Sequence, residues 1–209
     1  MNKEILFGIL VSALIGYLIG CINPAFIISK LKGFDIRNTG SGNAGATNAA
    51  LAMGKNVGMM IAVFDVAKAC AAVYLANKAL PEFNLSTEIS GTACIIGHMY
   101  PFYMKFKGGK GLACLAGIIL SYHPVALLIL FFAELVPALL VGYGVIFPLL
   151  TSVLVPLLYG LITKNVTGAL IYCIASVFVV IKHIPNIKKV MSGEELPINA
   201  LWKGKEFRK

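Results

Sequence analysis

The chain has 209 residues, 58% of them hydrophobic and 13% charged, with a formal net charge of +9 and a mean hydropathy of +0.85. A soluble domain of this length cannot hide that much apolar surface, whereas lipid needs none of it hidden. A membrane protein is the reading, and the basic excess is first a matter of sidedness.

Apolar runs close to membrane-spanning length, roughly 20 residues, occur at 5–29, 49–76, 89–104, 112–122, 125–141, 145–162 and 167–181. They predict an all-α polytopic membrane protein: a seven-transmembrane-helix bundle, one domain over 1–209, with no repeat or soluble module. The run at 112–122 is short, and "YHP" separates it from the next. Pro137, Pro148 and Pro156 fall inside predicted spans, where neighbouring helices re-satisfy freed backbone groups. "LIGC" ahead of Cys21 resembles a cleavage site, but the apolar run continues through "AFII", so the first span is read as uncleaved. The five cysteines are scattered through apolar runs without metal-ligand spacing, so no metal and no cofactor is expected.

Seven spans put residues 30–48, 105–111, 142–144 and 182–209 on one side. With Lys55, that side carries fourteen basic residues, Lys203, Lys205, Arg208 and Lys209 of the tail among them. The other carries three, Lys3, Lys78 and Lys164, and Lys68 lies within a span. This bias turns the basic side to the cytoplasm and predicts a cell-membrane protein with its C-terminus inside. Because the charges flank the membrane instead of covering one folded face, the expected partners are membrane lipid and anionic substrates, not nucleic acid.

Three polar stretches interrupt the apolar pattern. In "GSGNAGATN", Gly40, Gly42 and Gly45 let backbone N–H groups turn toward an anion, and Ser41, Asn43, Thr47 and Asn48 add neutral donors. Thr47 or Asn48 is expected to cap a helix beginning near Ala49, placing Leu51 in its first turn. An ordinary interfacial turn would use the same residues. In "KFKGGKG", Lys105, Lys107 and Lys110 supply charge, while Gly108, Gly109 and Gly111 permit close backbone approach. In "KHIPNIKKVMSGEE", His183, Asn186 and Glu195 are the polar groups of what could equally be a solvated juxtamembrane helix. Asp65 and Lys68 are three residues apart on one helix face and can pair, and Glu134 is a further intramembrane charge. Such a pair can serve function or lock helices together, and the lock is preferred.

"GSGNAGATN", "GHMYPFYMKFKGGKG" and "KHIPNIKKVMSGEE", in that order and with "FDVAK" at 64–68, resemble the signature regions of the bacterial acyl-phosphate:glycerol-3-phosphate acyltransferases. The resemblance implies a seven-span enzyme that moves a fatty acyl group from acyl phosphate to the 1-hydroxyl of glycerol 3-phosphate, giving lysophosphatidic acid in phospholipid synthesis. Its signatures would face the cytosol. It implies catalytic roles for Ser41, Asn43, His183, Asn186 and Glu195. It implies substrate binding by Gly42, Gly45, Thr47, Asn48, His98, Lys107, Gly108, Gly109, Lys110 and Gly111. No nucleophile triad is visible, so direct transfer without a covalent intermediate is expected.

The chain departs from that family at several positions. Leu51, Gly142 and Ile184 stand where the family usually has arginine, Val145 and Pro148 where it has serine, and Ala69 where it has glycine. A missing arginine removes bidentate phosphate recognition that lysine does not copy. A catalytically retired or acceptor-shifted relative is therefore the alternative. A small transporter ranks behind it, because the polar stretches gather on one predicted face.

Overall fold

A computed structural model describes residues 2–195, 197 and 198. The tail lysines 203, 205 and 209 and Arg208, counted above toward sidedness, lie outside the described residues.

Small residues recur every fourth position at the start of the chain: Gly8, Ser12, Gly16 and Gly20, all buried on one face of α1 (Lys3–Cys21). A four-residue repeat keeps one helix face free of side chains, so another backbone can approach. The partner is α5 (Ser86–Met99). A Cβ on Gly16 would lie 2.0 Å from the Ser90 carbonyl oxygen, and one on Gly20 would lie 2.1 Å from that of Cys94. Gly97 of α5 returns the contact against Tyr17.

The first predicted span is broken. Pro24 forces the preceding Asn23 out of helical conformation, to φ −119° and ψ 97°, and the Asn23 side chain caps α2 (Pro24–Leu31) by accepting the Phe26 N–H. The second span is broken too, at Gly54, whose φ of +101° separates α3 (Ala46–Met53) from α4 (Lys55–Ala79). Asn-Pro and a lone glycine are breaker signals that hydropathy alone overrides.

After α5 come α6 (Leu112–Tyr122), α7 (Pro124–Val141), α8 (Ile146–Thr163) and α9 (Val166–Ser192). Helix α9 runs well beyond the predicted 167–181 and carries the third polar stretch on its last turns. Among the described residues, five helical stretches are long and apolar enough to cross a membrane: Lys3–Leu31, Lys55–Ala79, Pro124–Val141, Ile146–Thr163 and Val166–Ser192. Helices α5 and α6, at 14 and 11 residues, extend about 21 and 17 Å, short of a hydrocarbon core of ~30 Å. Helix α5 is instead the buried centre, packed by α1, α4 and α9. Its Cys94, Ile95 and Met99 join Leu115, Ile118, Tyr172 and Val179 in the main core. Phe7, Leu14, Ile129, Phe132, Leu170 and Val177 point outward, as lipid-facing residues do.

The connections meet in two groups. Gly8 abuts the Phe83 ring, and Glu88 accepts from Tyr159, Asn165 and Thr87. In the other group, Arg37 donates to the Met104 carbonyl at 2.6 Å, and Ile198 N–H to the Gly142 carbonyl at 2.8 Å.

Candidate functional site

The second group encloses a cleft of about 270 Å³. Ser41, Gly42 and Asn43 form one wall, Lys107, Gly108 and Lys110 a second, and Lys182, Pro185, Asn186 and Lys189 of α9 the third. Residues more than 140 positions apart thus share one cavity, which four ammonium groups make cationic.

Asn48 builds the first wall from behind. It is 1% exposed and sits in the first turn of α3, which starts at Ala46 without a side-chain cap. Its Oδ1 accepts the Ser41 N–H at 2.9 Å, and its amide N–H groups are shared among the carbonyls of Ile36, Thr39 and Asn43, each at 3.0 Å. Asn48 is therefore a loop organiser and not a cap, and the Ser41 N–H is already taken. The amide of Asn43 lies in space that a Cβ on Gly45 would fill, 2.7 Å from its Nδ2. Thr47 is exposed and off the wall, and Leu51, half-buried in the second turn of α3, is also off it. Leu51 is therefore outside the first turn, where a helix start near Ala49 would have put it, because α3 begins three residues earlier.

The second wall folds back onto α5. Lys105 and Phe106 take left-handed conformations, at φ 54° and 57°. Gly108 and Gly109 then donate their N–H groups to the carbonyls of Met99 and His98, each at 3.0 Å. The two glycines pack closely against the protein, with Gly108 also lining the cleft: a Cβ on Gly108 would meet the His98 carbonyl at 2.1 Å, and one on Gly109 would meet His98 Nε2 at 2.0 Å. His98 lies behind Gly109, 3% exposed, and Gly111 is likewise buried, against Met99. Charge for a ligand comes from the lysine side chains. Burial pushes the Lys110 ammonium below the ordinary lysine value, and nearby Glu195 opposes that. Arg37 ties the two loops together, paired with Asp35 at 2.7 Å as well as bonded to Met104. Its guanidinium holds the Asp35 carboxyl well below the usual carboxylate range.

On α9, Lys182 stacks over the Tyr100 ring at 4.1 Å. Asn186 accepts from Lys110 and donates to Glu195. Glu195 gets there because Gly193, at φ +75°, reverses the chain after α9. His183 is buried off the wall; its Nδ1–H donates to the Val179 carbonyl at 2.8 Å, which leaves Nε2 as the accepting nitrogen.

The sequence matches the family "Glycerol-3-phosphate acyltransferase" over residues 10–193. The chain belongs to the glycerol-3-phosphate acyltransferase family. The glycerol-3-phosphate acyltransferase of Macrococcus caseolyticus is 37% identical over 186 residues, 87% of this chain and 93% of that relative. The crystal structure of PlsY (YgiH), an integral membrane glycerol 3-phosphate acyltransferase, in its glycerol 3-phosphate form superposes with a TM-score of 0.84. It is 30% identical and covers 93% of this chain and 98% of that one. Its lysophosphatidic acid form gives 0.80, at 29% identity over 90% and 94% of the two chains. The chain is thus an acyltransferase and an integral membrane protein.

Three departures from the acyltransferase pattern find a place in the fold. Ala69 is fully buried against Gly117 of α6, so the small residue stands on the partner helix. Gly142 and Tyr143 pair with the segment at 197–198 instead of reaching the cleft. Ile184 is off the wall. Lys182, Pro185 and Lys189 are on the wall, although from sequence they read only as juxtamembrane residues. Their spacing of three and four along a helix was the available signal.

Asp65 and Lys68 pair at 2.7 Å, both buried. Asp65, His98 and Cys114 each offer a ligand atom within 4.8 Å of the others. The Lys68 ammonium, 2.7 Å from the carboxylate and 2.8 Å from the imidazole, already supplies the cation there.

Proposed function

We propose that the cleft joins a fatty acyl phosphate to glycerol 3-phosphate, forming lysophosphatidic acid and free phosphate. The observation that carries this is the convergence of three distant polar stretches on one cavity with Lys107, Lys110, Lys182 and Lys189 around it. Both substrates bear phosphate, and four cations suit two such groups. The acceptor hydroxyl attacks the acyl carbonyl; the new C–O bond forms as the bond to phosphate breaks, and the departing phosphate can take the hydroxyl proton. Ser41 and Asn43 stand where donors could meet the negative charge growing on the carbonyl oxygen. Gly45, Asn48, Gly109, Gly111 and Glu195 act on the ligand through the wall residues they hold, and His183 keeps one accepting nitrogen close to Lys110.

The acyl chain would lie in the apolar groove between α8 and α9, about 790 Å³, lined by Val153, Leu157, Leu161, Leu170 and Val177. The groove follows α9 as far as Ile181, and the polar cleft begins at Lys182.

The two groups of connections support seven crossings. Residues 8, 83, 88, 122, 159 and 165 keep to one group, and 37, 43, 104, 110, 142, 186 and 198 to the other, so successive connections alternate. On this reading α5 and α6 are the short crossings, wrapped by longer ones, and the cleft faces the cytosol of a bacterial cell membrane.

Purified protein given acyl phosphate and a panel of phosphorylated and unphosphorylated polyols tests the reading. Glycerol 3-phosphate should be acylated far faster than glycerol, with release of phosphate. Equal use of both would remove the role assigned to the lysines.

A further inference from the structure

One buried cation touches the supports of two of the three walls. Lys68, on α4, is 4% exposed. Its Nζ donates to the Ile22 carbonyl at 2.7 Å and to His98 Nδ1 at 2.8 Å, and forms an ion pair with Asp65 Oδ1 at 2.7 Å that is not aligned as a hydrogen bond. An ammonium has only donors, so in this contact Nδ1 accepts; Nδ1 also lies 3.4 Å from Asp65 Oδ1, which leaves Nε2 as the other edge of the ring. That edge of the ring is what Gly109 packs against, and Gly109 lies between the wall residues Gly108 and Lys110. The orientation of the imidazole therefore sets how deep the lysine loop sits.

The second contact reaches the other wall. The Ile22 carbonyl lies in the break between α1 and α2. The next residue, Asn23, is fully buried, and its amide donates to the Ala44 carbonyl at 3.0 Å, immediately after Asn43. The preceding carbonyl, of Cys21, accepts the Tyr103 hydroxyl at 2.8 Å from the start of the lysine loop. Both walls thus hang from a three-residue break that Lys68 clamps to His98.

We infer that Lys68 is a positioning residue for acceptor binding. By holding His98 and the Ile22 carbonyl together, it sets the separation between the wall at 41–43 and the wall at 107–110. It touches no substrate. The inference depends on the cleft being the acyl-transfer site. It predicts a selective defect, because glycerol 3-phosphate has only the cleft to hold it, whereas acyl phosphate keeps most of its binding from the chain seated between α8 and α9.

The test uses Asp65→Asn with Lys68→Met, which removes both charges together and leaves no lone buried carboxylate. A second variant, His98→Asn, keeps an acceptor near the Nδ1 position but deletes the ring edge beneath Gly109. KM for glycerol 3-phosphate, KM for acyl phosphate, kcat and melting temperature are measured in detergent for each. The expected result for both is an acceptor KM raised about tenfold or more, with the acyl-phosphate KM within about twofold, since one lost polar contact is worth on that order. Unchanged acceptor KM in either folded variant overturns the inference. Equal rises in both KM values overturn it as well, marking a general structural role. If neither variant folds, the cluster is a folding element and the inference falls. Wild-type protein that acylates no glycerol 3-phosphate brings down the functional reading itself, an outcome seen before any variant is made.

Discussion

Asn186 Nδ2 donates to Glu195 Oε1 at 2.6 Å, across the turn that Gly193 makes after α9. The same side chain accepts from Lys110, which comes from a different wall of the cleft. Only one flip state of the amide satisfies both partners, so Asn186 is an oriented bridge between an ammonium and a carboxylate.

Glu195→Ala should release that bridge. A hydrogen bond to a charged group is worth about 1.5–3 kcal/mol, so the acceptor KM should rise roughly tenfold or more. Glu195→Gln, which still accepts, should fall between the two. Steady-state kinetics decide it, and an acceptor KM equal to wild type in Glu195→Ala would leave the bridge without a role.

The alkaline limb of the pH profile should belong to Lys110. Burial depresses its folded value, so as pH rises it loses its proton earlier than an ordinary lysine. The limb of kcat/KM for the acceptor should therefore lie below about 10.4, and Lys110→Arg, charged throughout, should move it upward. An unmoved limb in Lys110→Arg would assign the titration to another group.

Asn48 and Thr47 are neighbours in sequence with opposite expected effects. Asn48→Ala removes four hydrogen bonds behind the first wall; the Ile36 and Thr39 carbonyls keep Thr39 and Gly42 as donors, so the cost, about 1–3 kcal/mol for each group left buried and unpaired, falls on the Ser41 N–H and the Asn43 carbonyl. It should lower the melting temperature by several degrees and cut kcat/KM at least tenfold. Thr47→Ala, exposed and off the wall, should stay within about twofold on the general tolerance of such sites. Similar behaviour of the two variants would contradict the assigned geometry.

Glycine content alone does not predict sensitivity. Gly109→Ala puts a Cβ 2.0 Å from His98 Nε2, whereas Gly144→Ala meets nothing within 4 Å among the described residues. The first should lose most acyl transfer, on the order of 10²-fold for a misplaced binding group, and the second should be near wild type. Activity retained in Gly109→Ala would mean that the lysine loop adjusts freely.

Reporters fused after Phe83 and after Lys209 should report opposite sides of the membrane, with position 209 inside. Both on one side would remove the seven-crossing reading and the cytosolic cleft with it.

Hydropathy and charge are sums over neighbours in sequence, so they suffice for what depends on such sums. The lipid environment, the all-α class and the boundaries of α6 at Leu112–Tyr122 followed from them, and the three polar stretches stood out against the apolar runs. They do not register which carbonyl a polar side chain meets. Asn48 read as a cap and is the inner brace of a loop, because α3 begins at Ala46 and turns that amide toward residues 36–43. His98 and Gly109 read as substrate contacts and are packed against one another behind the cleft wall, since the loop at 105–111 folds back on the end of α5. Lys182 and Lys189 read as membrane-flanking charges and line the cleft, because α9 continues as one helix past its apolar stretch. Lys68 shows the division most directly. Its pairing with Asp65 follows from helical spacing within one segment, whereas its bonds to Ile22 and His98, 46 and 30 residues away, exist only because α1, α4 and α5 pack side by side.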